Sequence, residues 1–337
     1  MNTTVFGNTG LRVSRSAFGA LPIQRLSNQD AAALLRRAYE AGINFFDTAR
    51  AYTDSEAKMA LGLGDVREKI IIASKTMSST PEAFWAQLNE SLAALNTPYI
   101  DIYQLHNPAV IPLADSPMYQ CMLEARAQGK IRHIGISCHL LANARIAMES
   151  GLYATIQYPL SALSDPAEID FARECGERGI GVIAMKALCG GLLTSAAPSM
   201  AFLRDLPHVV PIWGFQRDSE LDEVLALEQN PPALDEAMLA RIEKDRAELA
   251  GDFCRGCGYC LPCPAQIQIA MCARMPLLLR RAVPESFLTS HWQQEMARIE
   301  ACTGCGLCTS RCPYGLDAPR LLRAAWADYQ GFLPGQG

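Results

Sequence analysis

The chain has 337 residues, half of them hydrophobic, with 30 Lys and Arg against 35 Asp and Glu for a formal net charge of −5. The length exceeds one small domain and the apolar fraction supplies a large core; a mildly acidic balance without a basic run argues against a nucleic-acid partner. No stretch of about 18 uninterrupted apolar residues occurs, so no membrane span is expected. The N-terminal Met1-Asn2-Thr3-Thr4-Val5-Phe6-Gly7 has neither the charged nor the apolar region of a signal peptide.

The opening segment Val5 to Val13 reads as a hairpin turning at Asn8 to Gly10, placed to plug the bottom of whatever follows. Ser16 to Gly19 is a short first strand. Asn28 to Ala41 repeats apolar residues at Ala31, Leu34, Leu35 and Ala38, and Gly42 stands at the expected stop of that helix. Ile43 to Phe46 is a strand, followed by a short helix near Ser55 to Leu61. Lys69 to Ser74 is an apolar run suited to a strand buried on both faces. Thr80 and Pro81 open a helix whose apolar face is Phe84, Leu88, Leu92 and Leu95.

Further strands are expected at Ile100 to Leu105, His133 to Ile136, Thr155 to Gln157, Ile180 to Ala184 and Val209 to Ile212. The intervening helices fit Met118 to Gln128, Leu141 to Glu149, Ala167 to Arg178 and Ser219 to Leu227, with a weak one at Met200 to Leu206. Eight strand–helix units predict an α/β fold, a closed (β/α)8 TIM barrel over residues 1–232. Asn230-Pro231-Pro232 breaks the pattern, and residues 233–337 form a second, small and mostly helical domain.

That second domain holds nine of the 13 cysteines, between Cys254 and Cys312. The first motif is Cys254-x2-Cys257-x2-Cys260-x2-Cys263-Pro264; the second is Cys302-x2-Cys305-x2-Cys308-x3-Cys312-Pro313, which matches the bacterial ferredoxin run. Thiolates at i, i+3 and i+6 can wrap three corners of a cubane, because Gly256, Gly258, Gly304 and Gly306 permit the tight loop. The fourth cysteine before proline usually serves the neighbouring cluster. Two [4Fe–4S] clusters are therefore expected, one on Cys254, Cys257, Cys260 and Cys312 and the other on Cys302, Cys305, Cys308 and Cys263. The first motif has only two residues before its fourth cysteine, so Cys263 closing its own cluster stays open, and two zinc sites are the plainer alternative. Dense C-x2-C spacing without a secretion signal points to a reducing, cytoplasmic compartment. Cys121, Cys138, Cys175, Cys189 and Cys272 read as core.

Barrels carry their chemistry at the C-terminal ends of strands. Asp47 follows one strand, Tyr52 lies five residues on, Lys75 ends the next strand and His106 the one after. Asp47-Thr48-Ala49-x2-Tyr52, Lys75 and Leu105-His106 together resemble the Asp/Tyr/Lys/His tetrad of the aldo-keto reductases. Ile134-Gly135-Ile136-Ser137 and Gln157 are similar to that family's contacts with the nicotinamide carboxamide. The cysteine-rich segment is similar to the ferredoxin-like extension of one branch.

The resemblance implies an NAD(P)H-dependent oxidoreductase that reduces carbonyls or oxidises alcohols. Tyr52 would be the proton donor, Lys75 would favour its phenolate, Asp47 would hold Lys75, and His106 would orient the carbonyl. Ser137 and Gln157 would hold the carboxamide, with Met185 where the family stacks an aromatic residue. Gly190 and Gly191 would admit the pyrophosphate. Gly214 and Arg217, opening the last barrel helix, would take the adenosine phosphate end. NADPH and NADH both remain open, because Glu220 stands where relatives place a phosphate-binding Arg. A redox protein partner and an electron-transfer role for the clusters are expected, against a purely structural one. The competing reading is an electron-transfer or regulatory iron–sulfur protein whose barrel binds nicotinamide without efficient turnover.

Overall fold

The computed structural model describes residues 1–206, 208–249, 253–256, 258–281 and 284–333, the side chain of residue 281 excepted. It divides into two compact units, residues 1–187 with 196–239, and residues 188–195 with 240–337.

In the first unit, β1 (Thr3–Val5) and β2 (Arg12–Ser14) form an antiparallel hairpin. Eight parallel strands then close a barrel: β3 (Ala17–Gly19), β4 (Phe45–Asp47), β5 (Ile71–Thr76), β6 (Ile100–His106), β7 (Ile131–Ser137), β8 (Thr155–Pro159), β9 (Gly181–Met185) and β10 (Val209–Gly214), which pairs back with β3. The apolar runs become strands because both faces are covered; β5 is buried along its whole length. Eight helices alternate with them: α1 (Asn28–Glu40), α2 (Ser55–Leu63), α3 (Pro81–Ala94), α4 (Pro117–Ala127), α5 (Leu141–Ser150), α6 (Pro166–Glu177), α7 (Ala196–Arg204) and α8 (Asp218–Gln229).

Local sequence sets the helix starts. The side chains of Ser27, Thr80, Ser116 and Asp165 each accept from a backbone N–H three residues on, and Pro stands at the opening of α3, α4 and α6. Gly42, after α1, takes φ +98°, a conformation that Gly alone adopts without strain. The weak seventh helix starts earlier than its apolar pattern suggests, at Ala196 instead of Met200, because Pro198 falls in its first turn and is tolerated there.

The hairpin does seal the barrel floor. Phe6 and Val13 are fully buried and pack with Phe45, Ile71, Ile102, Ile183 and Val210. A Cβ at Gly181 would lie 2.8 Å from the Phe6 ring, so that strand start has no room for a side chain. Chemistry is thereby confined to the opposite, C-terminal mouth.

The second unit contains α9 (Glu236–Glu248) from Ala240 onward, α10 (Ile269–Cys272), α11 (Met275–Arg281), α12 (Ser290–Ala297), α13 (Leu307–Ser310) and α14 (Ala318–Gln330). Its core joins Ile267, Cys272, Met275, Met296, Leu322 and Tyr329. Short helices carry this core while the cysteine loops run around it. No helix among the described residues is long and apolar enough to cross a membrane.

Candidate functional site

The residues at the barrel mouth are set by strand ends. Asp47 closes β4, Lys75 lies near the end of β5, and His106 closes β6. Lys75 Nζ donates to both Asp47 oxygens at 2.8 and 2.7 Å and to the Thr48 carbonyl at 2.6 Å, and both side chains are buried. Burial pushes the Asp47 carboxyl up and the Lys75 ammonium down, and their mutual attraction opposes both shifts. The Tyr52 ring centroid lies 5.3 Å from Lys75 Nζ, and the His106 ring meets Tyr52 edge-on with centroids 6.0 Å apart. Burial, reinforced by Lys75, lowers the His106 pKa to about 3, so its ring is neutral near pH 7. The structure therefore brings Asp47, Tyr52, Lys75 and His106 into one cluster.

The loop bearing Tyr52 is pinned from beneath. Thr48 N donates to the Ala73 carbonyl at 2.8 Å and Arg50 N to the Lys75 carbonyl at 3.0 Å. The buried Glu56 carboxylate accepts from Ser74 Oγ at 2.6 Å and pairs with Arg50 at 2.6 Å. Thr48 Oγ1 and Ser55 Oγ share a 2.9 Å hydrogen bond. These contacts leave the loop little freedom, and Glu56 and Arg50 carried no signal in the sequence beyond a helix start.

Three further residues at this mouth escape sequence reasoning. Gln104 of β6 donates to Gln157 Oε1 at 2.8 Å and approaches Asp47 Oδ1 at 3.4 Å, tying β4, β6 and β8 together. A glutamine inside the apolar run Ile100–Leu105 was the available hint. His139 is 5% exposed, its pKa lowered to about 2 mainly by burial, with Lys186 Nζ 3.4 Å from its Nδ1. Lys186, just after β9, has φ +61°, an uncommon backbone state for a lysine and of the kind that clusters at functional sites.

The expected carboxamide contacts also lie on barrel strands. Ser137 closes β7, is buried, and its Oγ accepts from Asn107 N at 3.0 Å. Gln157 is buried in β8, and Met185, half-buried, closes β9. Gly214 closes β10. Arg217 stands at the start of α8 with its side chain 70% exposed, 3.8 Å from Glu220. The Glu220 carboxylate accepts from the backbone N–H groups of Gln216 and Arg217 at 2.8 and 3.1 Å, so it already occupies the helix opening where an anion would be drawn.

Gly190 and Gly191 belong to the second unit, with φ of +69° and +91°. The Gly190 carbonyl accepts from Arg274, whose guanidinium also lies against Gly256 of the first cysteine motif: a Cβ on Gly256 would sit 2.9 Å from it.

The cysteines line two cavities in this unit. Cys263, Cys302, Cys305 and Cys308 stand around one; Cys254 and Cys312 stand around the other, with Cys260 and Cys308 in the wall of both. Cys257 lies outside the described residues. No disulfide joins the described cysteines. Gly256, Gly258, Gly304 and Gly306 all take φ between +66° and +80°, the turn that wraps a loop around a bound object. Among the described residues no three Cys, His, Asp or Glu side chains gather at a single point as one ion requires; the sulfurs stand apart around the cavity walls. Thiol-only donors spread around a cavity fit a cluster of iron and sulfide.

The family model for the aldo/keto reductase family matches residues 16–205, and that for a 4Fe-4S dicluster domain matches residues 253–317. The chain belongs to the aldo/keto reductase family and carries a C-terminal 4Fe–4S dicluster domain. It is 31% identical over 213 residues to an L-galactose dehydrogenase of Arabidopsis thaliana, a match covering 57% of this chain and 67% of that one. It is 30% identical to the uncharacterized oxidoreductase YrpG of Bacillus subtilis, covering 58% and 69%. The matches thus span about two thirds of these relatives' own length. Among solved structures, an aldo-keto reductase from Bacillus halodurans in its holo form superposes with a TM-score of 0.63 at 21% identity, over 73% of this chain and 96% of that one, which speaks for the fold.

Proposed function

We propose that the protein is an NAD(P)H-dependent carbonyl reductase or alcohol dehydrogenase whose proton donor is Tyr52. The observation that carries this reading is Lys75 Nζ, held by Asp47 and 5.3 Å from the Tyr52 ring, with the His106 ring edge-on to the same tyrosine. A nicotinamide held by Ser137 and Gln157 would supply a hydride to the carbonyl carbon. The oxygen then needs a proton, and a phenol keeps one at neutral pH. A cation beside Tyr52 stabilises the phenolate left behind. His106, neutral near pH 7, donates a hydrogen bond that orients the carbonyl without surrendering its proton. Asp47 keeps the Lys75 ammonium in place, and Gln104 and Gln157 brace Asp47.

Ser137 and Gln157 suit the carboxamide, Met185 the nicotinamide face, and Gly190 and Gly191 a phosphate approached by backbone. Gly214 and Arg217 suit the adenosine end, where exposed Arg217 favours NADPH and the Glu220 carboxylate favours NADH. Cavity by cavity, the sulfurs favour the crossed arrangement, with Cys254, Cys257, Cys260 and Cys312 on one [4Fe–4S] cluster and Cys263, Cys302, Cys305 and Cys308 on the other. The shared wall of Cys260 and Cys308 favours electron transfer between the clusters over a bracing role. Such thiol sites suit a reducing compartment, the cytoplasm.

The test is Tyr52→Phe in anaerobically prepared protein, assayed with a panel of aldehydes, ketones and alcohols. Turnover should fall by about 10²–10⁴ while NAD(P)H binding, read by fluorescence titration, stays near wild type. Near-wild-type turnover in the variant sinks the assignment.

A further inference from the structure

The described cysteines around the two cavities differ in exposure. Around the first, Cys254 and Cys312 are half-buried and Cys260 is buried. Around the second, Cys305 is exposed, alone among the described cysteines. The surface beside it is unusual for this unit. Large apolar side chains stand well exposed at two described positions of the unit, Leu261 at 40% and Leu307 at 39%. Both lie in the cysteine loops that carry this cavity, beside exposed Pro262 and Pro264. Isolated exposed leucines need no explanation, but these two stand two residues from Cys263 and from Cys305, so they form an apolar patch on the loops that line one cavity.

The rim of the patch is basic. Arg311 is exposed and donates to the Pro262 carbonyl at 3.3 Å, and Arg298, paired with Glu295, donates to Gln266 at 3.4 Å. An apolar centre with an arginine rim matches the anatomy of a protein interface, and the sign selects an acidic partner.

We propose that the loops around Leu261–Pro264 and Cys305–Leu307 dock an acidic one-electron carrier protein, which exchanges electrons with the cluster at Cys263, Cys302, Cys305 and Cys308. The inference rests on reading this cavity as a cubane site. Each encounter moves one electron: the carrier is oxidised by one as the cluster is reduced by one, or the reverse, and no bond or proton changes hands. The exposed Cys305 edge makes this the cluster that a partner would reach.

The experiment uses the full, cluster-loaded chain and two reductants. One is a reduced acidic [2Fe–2S] ferredoxin; the other is reduced methyl viologen, a small dication that needs no docking surface. Stopped-flow absorbance follows cluster reduction, and interferometry follows binding of the oxidised ferredoxin. The ferredoxin rate and affinity should both fall steeply with ionic strength. Arg311→Glu and Leu261→Glu should each slow reduction by ferredoxin about tenfold or more and weaken its binding, with iron content and the methyl viologen rate unchanged. A salt-independent ferredoxin rate, or variants that slow neither donor or slow both alike, overturns the docking face. A chain that binds zinc in place of iron overturns the cubane reading and this proposal with it; full iron content with failed docking overturns the proposal alone.

Discussion

The barrel mouth and the cysteine unit bind their groups by opposite strategies. At the mouth, the polypeptide completes the site itself. The strand ends fix Asp47, Lys75 and His106, the ion pair between Lys75 and Asp47 is sealed at 2.7 Å, and Gln104 and Gln157 brace it from the side. In the second unit, thiols on glycine-turned loops stand around two cavities, with short helices behind them. The first arrangement is preorganised before any ligand arrives. In the second, thiols that form no disulfide among the described residues line the cavities, so a bound group would tie the loops together. A redox centre of iron and sulfide can thus double as the staple of a unit with a small core.

The largest expected effect is therefore on the cysteine side. Cys263→Ala should cost the cluster associated with the second motif, lowering the iron content from roughly eight to about four per chain. Iron and sulfide analysis with EPR of the reduced protein reads this directly. Loss of the cluster on Cys254, Cys257 and Cys260 instead would show that Cys263 serves its own motif. Removing all iron with a chelator should open the second unit to proteolysis while the barrel stays intact; equal protection of both units before and after would erase the contrast drawn above.

Next comes the buried ion pair. Lys75→Met leaves the Asp47 carboxyl buried without its cation, which should cost about 3–5 kcal/mol in denaturant unfolding. The double variant Lys75→Met with Asp47→Leu should recover much of that stability and none of the turnover. If the single variant is as stable as wild type, the mouth is less closed than its geometry indicates.

A third effect is on pH dependence. His106 and His139 have folded pKa values near 3 and 2, below the ordinary histidine value of 6.5. The unfolded chain therefore binds more protons between those values, and stability rises with pH across that window. Their contribution is fully present above about pH 6.5 and is lost as pH falls toward 3, at a slope of at most about 1.4 kcal/mol per pH unit for each ring. Urea midpoints measured from pH 7 to pH 4 should fall, and His139→Gln should flatten the fall. An unchanged slope in that variant would remove His139 from the account.

Much of this molecule is legible from local pattern. Apolar runs with intervening caps at Thr80 and Asp165 announce a parallel barrel, since each run must be covered on both faces and each helix must start where its free N–H groups find a partner. The cysteine spacing announces a metal centre because ligand geometry within ten residues is a property of the loop itself. Asp47, Lys75 and His106 are legible as strand-end residues, a local property too, while their grouping with the loop residue Tyr52 came from the resemblance to the aldo-keto reductase tetrad.

Tertiary closure decided the rest. Gln104 reaches Gln157 and Asp47 across the barrel, over sequence separations of 53 and 57 residues that no local pattern encodes. Glu220 reads as an acid in the first turn of a helix, and only the fold shows it turned back onto the N–H groups of Gln216 and Arg217. Arg274 reads as one more arginine, and only packing places it against both Gly190 and Gly256. Sequence by itself determined which residue types stand at which strand ends and loops, because periodicity and spacing are short-range. Which of those residues share a pocket, and which charges are buried there, depended on barrel closure, because burial and its pKa consequences arise only when distant segments exclude water together.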